Sequence, residues 1–199
     1  MRNIFITQGV YKDKYNSAYF KTDMNWIVYA KKHKFNLIQI NNPNFLEKNK
    51  NIDGIIFTGG NDLSKFKKSK ENLFRDKMEK KILHLAKKKK IPCLFICRGM
   101  QLLADVEKLR IIKDLKKMHV GKNHEIYIED KKIVVNSFHN FIIKTINKNF
   151  KLIGVCKKDN SVEIMKHYKK ELLAFMFHPE RYSPDQKKID KIFRNFYKL

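Results

Sequence analysis

Ile91-Pro92-Cys93-Leu94-Phe95-Ile96-Cys97-Arg98-Gly99-Met100-Gln101-Leu102-Leu103 runs apolar up to Ile96, stops at a cysteine and resumes with helical spacing. The pattern predicts a strand over Pro92–Ile96, a sharp turn at Cys97 and a helix just beyond it. Such a turn pushes its side chain out of the backbone, and the helix N-terminus beneath it favours negative charge. Cys97 is therefore a candidate nucleophile. Its rival reading, a core thiol, is opposed by Gly99 and by the polar Arg98 and Gln101, which argue against full burial.

Outward from this segment, strand-like and helix-like stretches alternate. Ile4–Thr7, Leu37–Ile40 and Ile52–Thr58 read as strands, the last ending at Gly59-Gly60. Asn16 or Ser17 could cap a helix bearing Phe20, Met24, Ile27 and Val28 on its apolar face. Glu71–Lys90 reads as a helix burying Phe74, Met78, Ile82 and Leu85, and the helix after Cys97 should bury Leu102, Leu103, Val106 and Leu109. The second half is richer in strands. A hairpin of His124–Glu129 and Lys132–Asn136 turns at Asp130-Lys131, and Lys151–Cys156, Val162–His167 and Leu172–Phe177 follow. A last helix starts near Pro184-Asp185, with Ile189, Ile192, Phe193 and Phe196 inward. Repeated β-α units imply an α/β fold: a mostly parallel sheet with helices on both faces. Ligands of such sheets bind at the carboxyl ends of strands, where Gly59-Gly60, Cys97 and His178 all fall.

The 199 residues are 43% apolar, enough for a real core, and no linker or repeat divides them, so 1–199 reads as one domain. No apolar stretch approaches the roughly 20 residues that span a bilayer, and the N-terminus is too soon interrupted for a signal peptide. These features point to a soluble cytoplasmic protein without a membrane partner. Cys93, Cys97 and Cys156 are too few for a disulfide framework, and Cys93 and Cys156 read as small core residues. Their spacing offers no zinc motif, and no metal or other cofactor is expected. The net charge of +24 invites a nucleic-acid reading. Yet only six of the 44 basic residues are arginine, the usual tool for bidentate phosphate and base contacts. The lysines read better as a solvated coat, or as attraction for an anionic small molecule, than as a nucleic-acid surface.

Far downstream, Phe177-His178-Pro179-Glu180 offers a base and an orienter. His178 would move the proton, Glu180 would hold the imidazole, and Cys97 would attack. The backbone N–H groups of Gly60 and Arg98 would form the oxyanion hole.

Four segments, Thr58-Gly59-Gly60-Asn61-Asp62, Ile96-Cys97-Arg98-Gly99-Met100-Gln101, Val135-Asn136-Ser137-Phe138-His139 and Phe177-His178-Pro179-Glu180, stand in the order of a known family. They resemble the class I glutamine amidotransferase superfamily, and more narrowly its free-standing γ-glutamyl hydrolase branch. The resemblance implies a flavodoxin-like three-layer fold and cleavage of a γ-glutamyl amide through a γ-glutamyl thioester. It also implies that Gln101 and Asn136, Ser137, Phe138 and His139, with Gly59 and Asn61, hold the glutamyl group. Phe95 departs from the family, which usually has glycine there; its ring must be absorbed by the neighbouring core. Thr7-Gln8-Gly9-Val10 and Asp23-Met24-Asn25-Trp26 look like a subgroup found with sugar and capsule biosynthesis enzymes, implying a nucleotide-linked, anionic γ-glutamyl substrate. Lys12, Lys14 and Arg181 lie near strand ends, but nothing singles them out for the phosphates. No synthetase-like segment follows, which favours a free-standing hydrolase. The open alternatives are a glutaminase subunit serving a separate synthetase, or a hydrolase of another γ-glutamyl amine.

Overall fold

The structure, a computed structural model, describes residues 1–199. Its strands β1 (Asn3–Thr7), β4 (Asn36–Ile40), β5 (Gly54–Phe57), β6 (Cys93–Ile96) and β13 (Leu172–Phe175) form a parallel block in the order β4-β1-β5-β6-β13. An antiparallel extension continues it: β12 (Ser161–His167), β11 (Phe150–Cys156), β8 (Val120–Ile128) and β9 (Lys131–Phe138). The parallel strands are apolar on both sides because helices cover both. Their side chains alternate accordingly. Phe5, Ile55, Phe57, Cys93 and Phe95 join one core layer with α3 (Lys70–Lys88) and α4 (Arg98–Val106). Ile4, Ile6, Ile56, Leu94 and Ile96 join the other with α1 (Asn25–His33) and α5 (Gln186–Tyr197). This is the expected three-layer α/β architecture. Cys93 and Cys156 are core thiols. No helix is long and apolar enough to cross a membrane.

Several local expectations need correction. Residues 16–24 do not start a helix. β2 (Gly9–Lys12) and β3 (Ala18–Lys21) pair as a hairpin, and α1 begins only at Asn25. The Asp13 carboxylate accepts from the N–H groups of Tyr15 and Ser17 and closes the turn. Met24, Ile27 and Val28 are exposed; α1 instead buries Trp26, Tyr29 and Ala30. In α3, Phe74 faces outward while Met78 and Ile82 are buried as expected. Val106 is partly exposed at the end of α4. The β8–β9 hairpin turns one residue early, at Glu129-Asp130, both with positive φ (47° and 62°) as a two-residue type I′ turn requires. The short α2 (Asn44–Lys48) and the pair β7 (Ile111–Lys113) and β10 (Phe141–Ile143) lacked a sequence signal.

Candidate active site

β5, β6 and β13 are parallel neighbours, so the segments leaving their carboxyl ends meet at one edge. Cys97 follows β6 directly, at φ 50° and ψ −103°, a conformation L-residues avoid. That strained geometry is the strand-to-helix elbow the sequence predicted. The Cys97 N–H donates to Phe175 O at 2.8 Å, tying the elbow to β13. Gly99 allows the close helix approach the elbow needs: a Cβ there would lie 2.2 Å from Phe57 O. Phe95, bulky where the family has glycine, is fully buried and stacks on Phe57 at 4.6 Å and 9°. The core absorbs it without displacing the elbow.

His178 sits on the loop after β13. A Cβ on Gly59 would stand 2.6 Å from His178 Cε1 and 3.5 Å from Cys97 Cβ, so only glycine lets imidazole, thiol and loop converge here. His178 Nδ1 and Glu180 Oε1 are 2.6 Å apart, both side chains buried. Burial pushes the imidazole towards neutrality, but the Glu180 carboxylate and the Cys97 sulfur outweigh it and raise its pKa to about 10. Asn136 clamps the loop. Its Oδ1 accepts from the His178 N–H at 2.9 Å, and its Nδ2 donates to His178 O at 2.7 Å and Ser183 Oγ at 2.8 Å. Phe138 packs edge-on to the imidazole at 5.8 Å.

A buried ionic cluster supports the glycine loop from below. Arg75 Nη2 donates to the carbonyls of Thr58 (2.9 Å) and Gly59 (3.0 Å), turning both towards α3. Gly60 follows at φ 98°, the left-handed region. Glu79 accepts from Arg75, Arg98 and Thr7, and Asp76 pairs with Arg98. This overturns the expectation that a polar Arg98 opposes burial: Arg98 is 1% exposed and Cys97 6%, because two carboxylates neutralise the guanidinium. Arg98 nevertheless opens α4, leaving its backbone N–H without an intrahelical acceptor.

Where these segments meet lies a cavity of about 410 Å³, walled by the β2–β3 hairpin, the start of α1, the glycine loop, His178 and Glu180. Lys21 and Arg181 supply its positive charge. Arg181 pairs with Asp23 at 2.9 Å and lies over the Phe138 ring at 4.8 Å. Of the lysines near strand ends, Lys12 lines a separate cleft outside the hairpin and Lys14 stands over Tyr15.

The remaining sequence candidates divide. Gln101 is buried, one helical turn beyond Cys97, and its amide bonds to no residue of the chain. Asn61 is committed to both Val10 backbone groups and to Arg75, so it anchors the hairpin. Ser137 Oγ donates to His119 O at 2.6 Å. His139 points into a separate buried group with His119, His124 and Glu163, not towards Cys97. Sequence reasoning missed Arg75, Glu79 and Lys21. The i, i+4 spacing of Arg75 and Glu79 was visible, but nothing distinguished it from a solvated helix pair.

The Glutamine amidotransferase class-I family model matches residues 17–199. The chain is 37% identical over 131 residues to the gamma-glutamyl-CDP-amidate hydrolase of Campylobacter jejuni, covering 65% of this chain and 63% of that protein, just under two thirds of its length. It is 29% identical over 149 residues to a glutamine-hydrolyzing GMP synthase subunit of Methanocaldococcus jannaschii, covering 68% of each. It is 36% identical over 114 residues to the carbamoyl phosphate synthase small chain of Wigglesworthia glossinidia brevipalpis, covering 55% of this chain but only 30% of that protein. A Thermoplasma acidophilum protein assigned to GMP synthase shares the fold, with a TM-score of 0.72 at 18% identity over 100% of this chain and 93% of that one.

Proposed function

The chain belongs to the class I glutamine amidotransferase family, and on that premise we propose that it is a cysteine-dependent hydrolase of a γ-glutamyl amide. The observation that carries the reading is the meeting of the Cys97 elbow, His178 and Gly59, with Glu180 behind the imidazole. Cys97 Sγ, its proton held by His178, attacks the γ-carbonyl carbon. The N–H groups of Gly60 and Arg98 receive the developing oxyanion. His178 passes its proton to the leaving nitrogen as the carbon–nitrogen bond breaks, leaving a γ-glutamyl thioester. Water then adds to the thioester and gives a proton to His178; the carbon–sulfur bond breaks, releasing L-glutamate. Gln101 has a free amide for the glutamyl group. Asn136, Ser137 and Asn61 hold backbone rather than substrate.

The substrate we favour is γ-glutamyl-CDP-amidate, giving L-glutamate and cytidine diphosphoramidate in capsule phosphoramidate biosynthesis. Two observations support it: the similarity to the Campylobacter jejuni hydrolase, and the Lys21 and Arg181 charges in the cavity beside the triad. A second reading, a glutaminase supplying ammonia to a separate synthetase, is supported by the similarity to the Methanocaldococcus jannaschii GMP synthase subunit.

Glutamate release from glutamine, γ-glutamyl amines and γ-glutamyl-CDP-amidate, with Cys97→Ala as control, tests both readings. Selective release from the nucleotide-linked compound is expected. Release mainly from simple amines would discard that substrate but keep the chemistry. Slow glutamine hydrolysis that rises when a synthetase is added would establish the second reading.

A further inference from the structure

A second polar constellation lies buried in the antiparallel half of the sheet. His119 immediately precedes β8, His124 lies within β8, His139 follows β9, and Glu163 lies within β12. Their side chains are at most 6% exposed. Five of their polar atoms, His119 Nδ1, both nitrogens of His124, His139 Nε2 and Glu163 Oε2, have no hydrogen-bond partner. Leaving such atoms unsatisfied is costly, and four ring nitrogens and a carboxylate oxygen unpartnered in one buried group is far from the native norm.

The outer nitrogens explain what the inner ones present. His119 Nε2 faces the Asp159 carboxylate at 3.2 Å and His139 Nδ1 faces the Phe141 carbonyl at 3.0 Å. Both oxygens can only accept, so both outer nitrogens carry hydrogen, and each ring in its neutral form turns a lone pair inward. His119 Nδ1 and His139 Nε2 each stand 3.8 Å from Glu163 Oε1. At that separation neither inner nitrogen hydrogen-bonds the carboxylate, and in the neutral form each presents it a lone pair. A cation among them resolves the conflict. Imidazoles oriented through their far nitrogen by a carboxylate or carbonyl are the usual support of metal-bound histidine. The ligand atoms of His119, His139 and Glu163 lie within 4.8 Å of one another, and His124 Nε2 is 3.4 Å from Glu163 Oε2. Ligands held about 2.0–2.2 Å from one tetrahedral zinc ion stand roughly 3.4 Å apart, so side-chain shifts on the order of 1 Å close the set of three, while His124, near Glu163 but outside that group, has farther to move.

We propose that His119 Nδ1, His139 Nε2 and Glu163, completed by His124 Nε2, bind one zinc ion in a closed structural site. Three imidazoles disfavour calcium and magnesium, which take oxygen ligands. Burial leaves no open position for substrate, so the ion pins β8, β9 and β12 together and holds Phe138, the neighbour of His139, against His178. The other grouping on His119, with Cys156 and Asp159, is weaker, since Asp159 already accepts from His119 and Ser161.

The test uses full-length protein carrying no histidine tag and purified without chelator. Elemental analysis should find about one zinc per chain. Glu163→Gln and His139→Ala should fall below about a tenth of that, while His84→Ala, on exposed α3 surface, keeps the metal. Wild-type protein stripped by chelator covers the case of variants that do not fold. Added zinc should raise its Tm by about 5–10 °C, and added cobalt(II) should give the visible bands of a tetrahedral nitrogen–oxygen site. Zinc below about a tenth of an equivalent both as purified and after reloading, with Tm unchanged, would overturn the proposal. A sulfur-to-cobalt charge-transfer band would overturn the ligand set in favour of Cys156.

Discussion

At the residue scale, the imidazole of His178 is held by three different means. Glu180 pairs with its Nδ1, the Cys97 sulfur raises its pKa, and Asn136 holds its backbone. Because the folded pKa is raised, the folded chain binds this proton more tightly than an unfolded histidine does. The resulting stabilisation is present in full below about pH 6.5 and is lost as pH rises towards about 10. An NMR titration of the His178 ring should find it protonated well above pH 7, with a lower pKa in Cys97→Ala, where the sulfur's contribution is gone. Identical titrations of the two proteins would contradict the pairing. Asn136→Ala should lower kcat by about 10–100-fold with little change in substrate affinity, since it displaces the base rather than a substrate contact. A rise in KM with kcat intact would instead return Asn136 to the substrate-binding role its motif implied. The elbow at Cys97 and the His178–Glu180 pair were legible in the sequence because each is a short local pattern. The role of Asn136 was not, because its partners at His178 and Ser183 lie more than forty positions away.

At the element scale, α3 governs the glycine loop through charge rather than apolar contact. Glu79 is fully buried between two guanidiniums; burial pushes its carboxyl up, but Arg75 and Arg98 hold it below the usual range. Glu79→Gln leaves two buried cations short of a counter-charge and should cost about 3–5 kcal/mol, a Tm loss on the order of 10 °C by calorimetry. A loss of under about 1 kcal/mol would mean that the network is solvated and does not position the loop. The same scale shows where pattern reading fails. Phe20, Met24, Ile27 and Val28 have helical spacing, yet Phe20 lies in β3 and the other three are exposed. β3 is exposed along its whole length, so it lacks the alternation that marks a half-buried strand. The parallel strands were legible because burial on both faces makes them continuous apolar runs.

At the scale of the whole molecule, parallel strands deliver Cys97, His178, Glu180 and the glycine loop to one edge, while the antiparallel half carries Phe138 and the buried histidines. The histidine group was illegible in sequence because its members come from separate strands with no metal-motif spacing. The +24 charge surrounds a cavity lined by Lys21, Arg181 and His178, with Asp23 and Glu180 as the carboxylate partners of the last two. KM for a nucleotide-linked substrate should therefore rise with salt, several-fold between about 50 and 200 mM, while KM for an uncharged γ-glutamyl amine stays nearly flat. Equal salt dependence for both would remove the cavity charges from substrate recognition.

In the proposed mechanism Cys97 carries the glutamyl group between bond cleavage and hydrolysis. Wild-type protein mixed with a γ-glutamyl substrate, acid-quenched during turnover and digested should yield the Cys97 peptide heavier by one γ-glutamyl group, and hydroxylamine should remove the label. Turnover with Cys97 unmodified, and preserved in Cys97→Ala, would contradict the proposed thioester.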